Sequence, residues 1–167
     1  MRNFGLGVLV TLVFTAGAAY TAQKSDSDVL REVRDRAEIE DLMWRYTRAL
    51  DTGNGAAYAA AYTPDGQFSA GTTVTTGRDA LMKLVGGAAP APAGAAARPP
   101  MYHTTANHAI TFLSKDSARV DAYYITAVAA AGQQTPARVA AVGRSVDELV
   151  RQNGRWLIKS RNVAPTN

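Results

Sequence analysis

Residues 28–50, with the sequence DVLREVRDRAEIEDLMWRYTRAL, decide the fold of this chain. Their apolar residues recur at the i, i+3, i+4, i+7 spacing of one helix face, and charged residues cover the other side. The apolar positions are Val29, Val33, Ile39, Leu42, Met43, Tyr46 and Leu50. Ser25 or Ser27 can cap the start, and Gly53 can end the helix. The pattern predicts a long amphipathic helix with one face on a core.

Shorter elements follow this helix. A second helix is predicted over residues 55–62, ending at the turn signal Thr63-Pro-Asp-Gly66. Residues 67–75 predict a short hairpin around Gly71, and residues 76–85 a third helix. Residues 88–100 are rich in Ala, Pro and Gly, and because their prolines interrupt the alanines they predict a mobile loop.

The remainder of the chain predicts strands, over residues 102–113, 117–129, 137–151 and 155–163. Asn153-Gly154 is a favoured two-residue hairpin turn, so the last two strands should pair antiparallel. Helices followed by long antiparallel strands indicate an α+β fold, with a curved antiparallel sheet wrapped over one long N-terminal helix.

The first residues of the chain have the order of a secretory signal peptide. A positively charged start at Arg2 precedes an apolar run over residues 4–14, and small residues follow at 16–19. The run is too short to span a bilayer, although an uncleaved anchor is the alternative. We expect residues 1–19 to be a leader, 20–27 a flexible N-terminus and 28–167 a single domain. The mature protein is then periplasmic or secreted, with no membrane attachment after cleavage.

Composition excludes several classes of function. The chain has 167 residues, a formal net charge of +4 and no cysteine, which rules out disulfides and thiolate catalysis. Its basic residues are interleaved with acids, which argues against a nucleic-acid partner. Cofactor-binding motifs are absent, so no cofactor is expected. His103 and His108 should face opposite sides of a strand, and no acidic cluster completes a metal site.

The residues suited to proton transfer lie in two short segments. Both histidines fall within residues 101–110, and Asp51 ends the long helix. An imidazole beside a carboxylate can move protons near neutral pH. Period-two alternation places His103 and Asn107 on one face of the strand. The alternatives are an exposed turn for Asp51 and an ordinary surface or core histidine for His103.

Two further side chains could assist this chemistry. Tyr46 lies on the apolar face of the long helix, where it either offers its hydroxyl to a pocket or belongs to the core. Arg161 could stabilise a developing anion. Because Trp156 and Ile158 are expected to face inward, strict alternation points Arg161 outward unless a bulge intervenes.

The chain resembles the SnoaL-like branch of the nuclear transport factor 2-like superfamily. The resemblance rests on several motifs in a characteristic order: Ile39-x-x-Leu42-x-x-x-Tyr46 with Ala49-Leu-Asp51, Tyr62-Thr-Pro-Asp-Gly66, Gly77-Arg-Asp-Ala80, His103-x-x-x-Asn107, and Asn153-Gly-Arg-Trp156 leading to Arg161. It implies a cone-shaped α+β barrel of the cystatin-like type, with a pocket between the helices and the curved sheet.

The resemblance also implies roles for individual residues. Scytalone dehydratase, bile-acid 7α-dehydratases and hexachlorocyclohexane dehydrochlorinase use an Asp–His pair that matches Asp51 and His103, with Tyr46 and Arg161 as matching helpers. Ligand contacts are expected from Asn107, Tyr62 and Tyr124.

Two interpretations stay open at this point. The first is a cofactor-independent dehydratase or isomerase that acts on a small apolar compound bearing a carbonyl or hydroxyl group. The second is a non-catalytic small-molecule-binding or dimeric scaffold protein. In either case we expect a homodimer through the outer face of the sheet, because strand residues such as Tyr123, Ile125 and Val128 place apolar groups on both faces.

Overall fold

A computed structural model describes residues 24–86, 100–129 and 136–165. The predicted leader, residues 20–23 of the predicted flexible N-terminus, and residues 88–99 of the predicted loop lie outside the described residues.

The long helix α1 (Asp26–Asp51) begins two residues before the predicted start. The Ser25 side chain caps it by accepting a hydrogen bond from the Asp28 backbone N–H at 3.2 Å, as N-cap serines do. The buried face consists of Ile39, Leu42, Met43, Tyr46 and Ala49, among others. Val29 and Val33, which the pattern placed on the same face, are exposed. The helix therefore packs on the core only from about its third turn onward.

Two short helices and a hairpin follow: α2 (Gly55–Ala60), β1 (Tyr62–Ala70), β2 (Thr73–Thr76) and α3 (Arg78–Leu84). The hairpin turns at Gly71, as predicted, but the strand before it starts earlier than predicted. Tyr62 begins β1 instead of ending α2, and the predicted turn at residues 63–66 lies inside the strand. The reason is tertiary: Tyr62 pairs with Ile158, and the Ile158 N–H donates to the Ala61 carbonyl at 2.9 Å.

The remaining strands are β3 (Met101–Ser114), β4 (Ser117–Val128), β5 (Arg138–Gln152) and β6 (Arg155–Asn162). They agree with the predicted spans to within a residue or two at most ends. With β1 and β2 they form a six-stranded sheet in the order β2-β1-β6-β5-β4-β3. The hairpin between β5 and β6 turns at Asn153 and Gly154, both with positive φ, as a type I′ turn requires. The pair β1–β6 is parallel, so the sheet is not wholly antiparallel, contrary to the prediction.

The core lies between α1 and the inner face of the sheet. It joins Ile39, Leu42 and Met43 of α1 to Val120 of β4, Leu149 of β5 and Ile158 of β6. The predicted α+β architecture, a curved sheet over an N-terminal helix, is confirmed. Among the described helices, none is both long and apolar enough to cross a lipid bilayer.

Candidate functional site

The last turn of α1 and the first residues of β3 meet at Asp51 and His103. The Asp51 Oδ1 atom lies 2.7 Å from the His103 Nδ1 atom, and it also accepts the His103 backbone N–H at 3.0 Å. Both side chains are largely shielded, with 9% of Asp51 and 18% of His103 exposed. Two bonds to one oxygen fix the ring and the carboxylate together. The structure therefore brings together the two residues that the sequence singled out.

This contact determines which nitrogen of His103 is free. An ionised carboxylate only accepts hydrogen bonds, so the Nδ1 atom facing Asp51 must carry a proton. In the neutral ring the Nε2 atom is then unprotonated and can act as a base. Asp51 therefore fixes the tautomer of His103 and supplies a negative charge beside the imidazolium when the ring is protonated.

His103 opens onto a cavity of about 300 Å³ between α1 and the sheet. Most of the wall is aromatic or aliphatic, including Tyr46, Leu50, Tyr58, Phe68, Tyr124 and Val163. Polar groups are few: beside His103 they include Thr105, Thr126 and Arg161. A mostly apolar cavity with a few convergent polar groups has the character of a small-molecule site.

Arg161 reaches this pocket because of a bulge in β6. Ile158 pairs with Leu149, but Ser160 pairs with Glu148, so Lys159 is an extra residue in the ladder. The bulge reverses the alternation and turns Arg161 inward, where it is 3% exposed. The outward orientation that strict alternation predicts for Arg161 is therefore wrong, because the bulge named as the exception is present in β6.

Once inside, Arg161 contacts a carboxylate and an aromatic ring. It forms an ion pair with Asp147 of β5, which is fully buried. The guanidinium carbon lies 4.6 Å from the centroid of the Tyr46 ring, within cation–π range. Burial raises the pKa of Asp147 to about 6, although the neighbouring Arg161 opposes the shift. Tyr46 thus holds Arg161 in place as well as lining the pocket.

The tyrosines around Tyr46 divide into pocket and core. The Tyr58 and Tyr62 hydroxyls are 3.1 Å apart, and burial raises the pKa of both phenols well above the ordinary value of 10.0. They are therefore neutral at physiological pH. Tyr58 lines the pocket, but Tyr62 is fully buried beneath it and does not line it, contrary to expectation. Tyr124 lines the pocket as expected, with its hydroxyl donating to the Val163 carbonyl at 3.1 Å.

Asn107 does not share the pocket with His103. It has a φ of 54° and lies where the pairing of β3 with β4 shifts register between Ala106 and Ala109. Its side chain is exposed, and it is not among the residues that line the cavity. The expectation from alternation is therefore wrong beyond Thr105.

This register shift is a bulge in β3, and it reverses the face on which the following residues of the strand lie. Ile110 and Phe112, which unbroken alternation would place opposite to His103, pack against the core instead. His108 is turned to the same side of β3 as His103, contrary to the prediction, and both line a second groove beside Glu40 and Trp44 of α1. Burial lowers the pKa of His108. Among the described residues, no group of three or more His, Asp or Glu side chains is placed to hold a metal ion.

The sequence reasoning missed Tyr58, Phe68 and Asp147. Asp147 could have been found from the sequence. It lies two residues from Ser145 and two from Leu149, so period-two alternation places it on the same strand face as an apolar leucine that should point inward. Charged or hydroxyl groups on an inward strand face mark a functional or structural polar cluster. Tyr58 and Phe68 carried no such signal.

The fold is similar to that of known protein structures. Three solved structures share the fold at 21–24% identity. An NTF2-like protein with a cystatin-like fold from Novosphingobium aromaticivorans is 21% identical (TM-score 0.68), over 84% of this chain and 88% of that one. A candidate scytalone dehydratase from the same species is 24% identical (TM-score 0.67), over 83% and 89%. A protein from Catenulispora acidiphila in complex with S-DNPA is 24% identical (TM-score 0.63), over 77% and 91%.

No curated protein sequence matches the chain. The model of the SnoaL-like domain matches residues 31–162. This match spans most of the chain, from the second turn of α1 to the end of β6. The chain therefore belongs to the SnoaL-like domain family.

Proposed function

We propose that this protein is a cofactor-independent lyase of the dehydratase type, or an isomerase, in which His103 is the general base and Asp51 orients it. The observation that carries the proposal is the 2.7 Å contact between Asp51 Oδ1 and His103 Nδ1 at the wall of an apolar cavity. A shielded base with a fixed tautomer is what proton abstraction from carbon requires.

The proposed reaction needs only groups of this chain. His103 Nε2 takes a proton from a carbon next to a carbonyl or other activating group, and Asp51 stabilises the imidazolium that forms. Neutral tyrosine hydroxyls and the Arg161 guanidinium stabilise the oxyanion. In a dehydration the imidazolium returns its proton to the departing hydroxyl; in an isomerisation it returns the proton to a different carbon.

The substrate is bounded by the cavity. About 300 Å³ and mostly aromatic walls favour a small apolar compound with one carbonyl or hydroxyl end. Two neighbours of the same fold support a small-molecule role: one is named as a candidate scytalone dehydratase, and the other was solved with S-DNPA. Their low identity supports the fold alone, so the reaction itself rests on the pair.

Nitrogen NMR of the two imidazoles tests the pair without a substrate. The neutral ring of His103 should carry its proton on Nδ1. The variant His108→Gln assigns the His103 signals, because it leaves His103 as the single imidazole in the chain. Asp51→Asn keeps a carbonyl acceptor but removes the charge, so the imidazolium loses its counter-ion. Asp51→Ala removes both and should give a mixture of tautomers.

Activity is tested with a panel of small cyclic hydroxyketones, followed by ultraviolet absorbance of the conjugated product. His103→Ala should abolish turnover, and His108→Ala, the matched control outside the pocket, should leave it unchanged. Turnover by His103→Ala, or a mixed tautomer in the wild type, excludes the proposed base. If panel compounds bind tightly without turnover and His103→Ala binds them equally well, the binding-protein interpretation replaces the lyase.

We also propose that the protein is exported, on the leader-like residues 1–19 alone. Mass spectrometry of the protein from its native host should find a mature N-terminus near Tyr20, and intact Met1 in the soluble cytoplasmic fraction would exclude export.

A further inference from the structure

A second and larger recess, which we call the arginine groove, lies on the other side of α1 from the Asp51–His103 pocket. Its volume is about 600 Å³. It is bounded by α1, α2 and the start of β6. Residues Arg45, Ala49 and Thr52 of α1 face the groove, whereas Tyr46, Thr47 and Leu50 face the pocket. The two sites therefore have no lining residue in common, although α1, α2 and β6 contribute to both.

The polar lining of the groove is cationic. Arg45, Arg48 and Arg155 line it, and no Asp or Glu does so within the described part of the chain. Arg45 is paired with Asp41 of the same helix. Arg48 and Arg155 form no ion pair with any described carboxylate. Two guanidiniums are thus available to an anion, and guanidinium favours carboxylate and sulfate oxygens.

The accessible hydrogen-bonding groups of the groove are mostly donors. Trp156 lines the groove but is only 2% exposed, and its indole N–H is itself buried, so the donors are the guanidiniums of Arg48 and Arg155. Competing acceptors are scarce, because the Arg48 and Ala49 carbonyls at the end of α1 already accept from Thr52 and Asn54. Donors therefore outnumber free acceptors on this surface.

The floor of the groove is apolar. It contains Leu42, Ala49, Ala61 and Leu157, and the exposed Trp44 forms part of its wall. Such a floor gives a bare inorganic anion nothing to contact, but it suits an organic body that carries the charge. A volume of this size is typical of sites for small organic molecules.

We propose that the arginine groove binds a small organic anion, with its carboxylate or sulfate between Arg48 and Arg155 and its apolar body on the apolar floor beside Trp44. This site is independent of the proposed chemistry at His103. It gives the protein a second ligand whose chemistry differs from that of the apolar compound in the pocket.

The two tryptophans of the chain provide a readout that excludes the pocket, because both Trp44 and Trp156 line the groove and neither lines the pocket. Titration of the full chain with octanoate should change the tryptophan emission in a saturable manner, and the affinity should fall as salt is added. Octanol, with the same chain and no charge, and inorganic sulfate, with no apolar body, should each bind at least about tenfold more weakly.

Variants locate the binding. Arg48→Gln/Arg155→Gln should raise the octanoate dissociation constant at least about tenfold. Arg34→Gln/Arg138→Gln, which removes two exposed arginines elsewhere, is the charge-matched control and should leave it unchanged. Ala57→Leu, which fills the groove from an exposed position of α2, should also block the change in emission.

Three results overturn the proposal. The first is octanoate affinity equal in the two double variants, with circular dichroism showing both folded. The second is equal binding of octanol, which would make the groove a simple apolar surface. The third is equal binding of sulfate, which would reduce it to a diffuse cationic patch. Loss of His103 has no bearing on any of them, so this proposal and the proposed lyase fail separately.

Discussion

Asp147 is the residue whose environment conflicts most with its charge. It is fully buried beneath the pocket wall, and Arg161 is its ion-pair partner. Removing two charges from water costs several kcal/mol per ion, and pairing returns only part of that cost. The pKa of Asp147, raised by burial to about 6, reports that balance.

We therefore predict a pH dependence that belongs to this one carboxyl. Its pKa is about 6 in the folded state, against an ordinary value of 3.8, so the folded protein holds the proton more tightly than the unfolded chain. The resulting stabilisation is complete below pH 3.8 and is lost as the pH rises to about 6. Asp147→Asn, which cannot titrate, should gain up to about 3 kcal/mol relative to wild type over that interval.

Urea unfolding at a series of pH values measures this difference. Asp65→Asn, at an exposed position of β1, controls for the loss of a negative charge. A difference between wild type and Asp147→Asn that stays constant with pH, or moves against the variant, would show that Arg161 attraction outweighs burial.

Individual residues also show which parts of the site could be predicted from the sequence and which could not. Asp51 and His103 could be paired because the family resemblance joined two segments that alternation and helix periodicity could not bring together. Alternation assigned Arg161 and Asn107 to the wrong faces, because Asn107 lies in a bulge of β3 and Arg161 follows a bulge in β6. An extra residue such as Lys159 has no distinctive side chain, and its position is set by how neighbouring strands fit.

At the scale of elements, β4 and β5 approach closely where an aromatic ring covers a glycine. Tyr124 pairs with Gly143, and a Cβ added at Gly143 would lie 2.6 Å from the Tyr124 hydroxyl and 2.7 Å from its ring carbon. The tyrosine cannot simply move away, since its hydroxyl donates to the Val163 carbonyl. This glycine therefore fixes one wall of the pocket.

We expect Gly143→Ala to destabilise the protein by about 1–3 kcal/mol, the usual cost of overpacking, and to weaken ligand binding in the pocket. In the Tyr124→Ala background the clash disappears, so the same substitution should cost well under half as much. Chemical denaturation of the four proteins of this double-mutant cycle gives the coupling. An equal cost in both backgrounds would mean that Tyr124 is not the group that Gly143 accommodates.

Elements differ in how far their sequences determine them. The periodicity of α1 and the Asn153-Gly154 turn are local signals, and both predictions hold. The start of β1 is not local, because residues 63–66 carry turn chemistry that pairing with β6 overrides. The parallel pairing of β1 and β6 was missed for the same reason, since only the assembled sheet shows which strands are neighbours.

At the scale of the whole molecule, the outer face of the sheet leaves apolar side chains in solvent. Ile125 pairs with Val142 across β4 and β5, and both are exposed, as are the nearby Tyr123 and Tyr102. A contiguous patch of this kind usually marks an interaction surface. We propose that it is the interface of a homodimer.

Light scattering at micromolar concentration should therefore give twice the monomer mass. Ile125→Lys/Val142→Lys should yield monomers that keep the wild-type circular dichroism spectrum, because neither side chain is in the core. Val74→Lys, an exposed apolar position on the far strand β2, is the control and should remain dimeric. A monomeric wild type refutes the interface.

The position of β6 in the sheet has a consequence for how the protein is made. This strand follows all the other described strands in sequence, yet it lies between β1 and β5 and supplies Arg161 to the pocket. A growing polypeptide can assemble α1, the first hairpin and β3 to β5, but the edges of β1 and β5 stay open until β6 has been made. Pairing across so long a separation is slow, and open strand edges invite association with other chains. Completion of the pocket, and protection from aggregation, therefore both wait for β6 to leave the ribosome and enter the sheet.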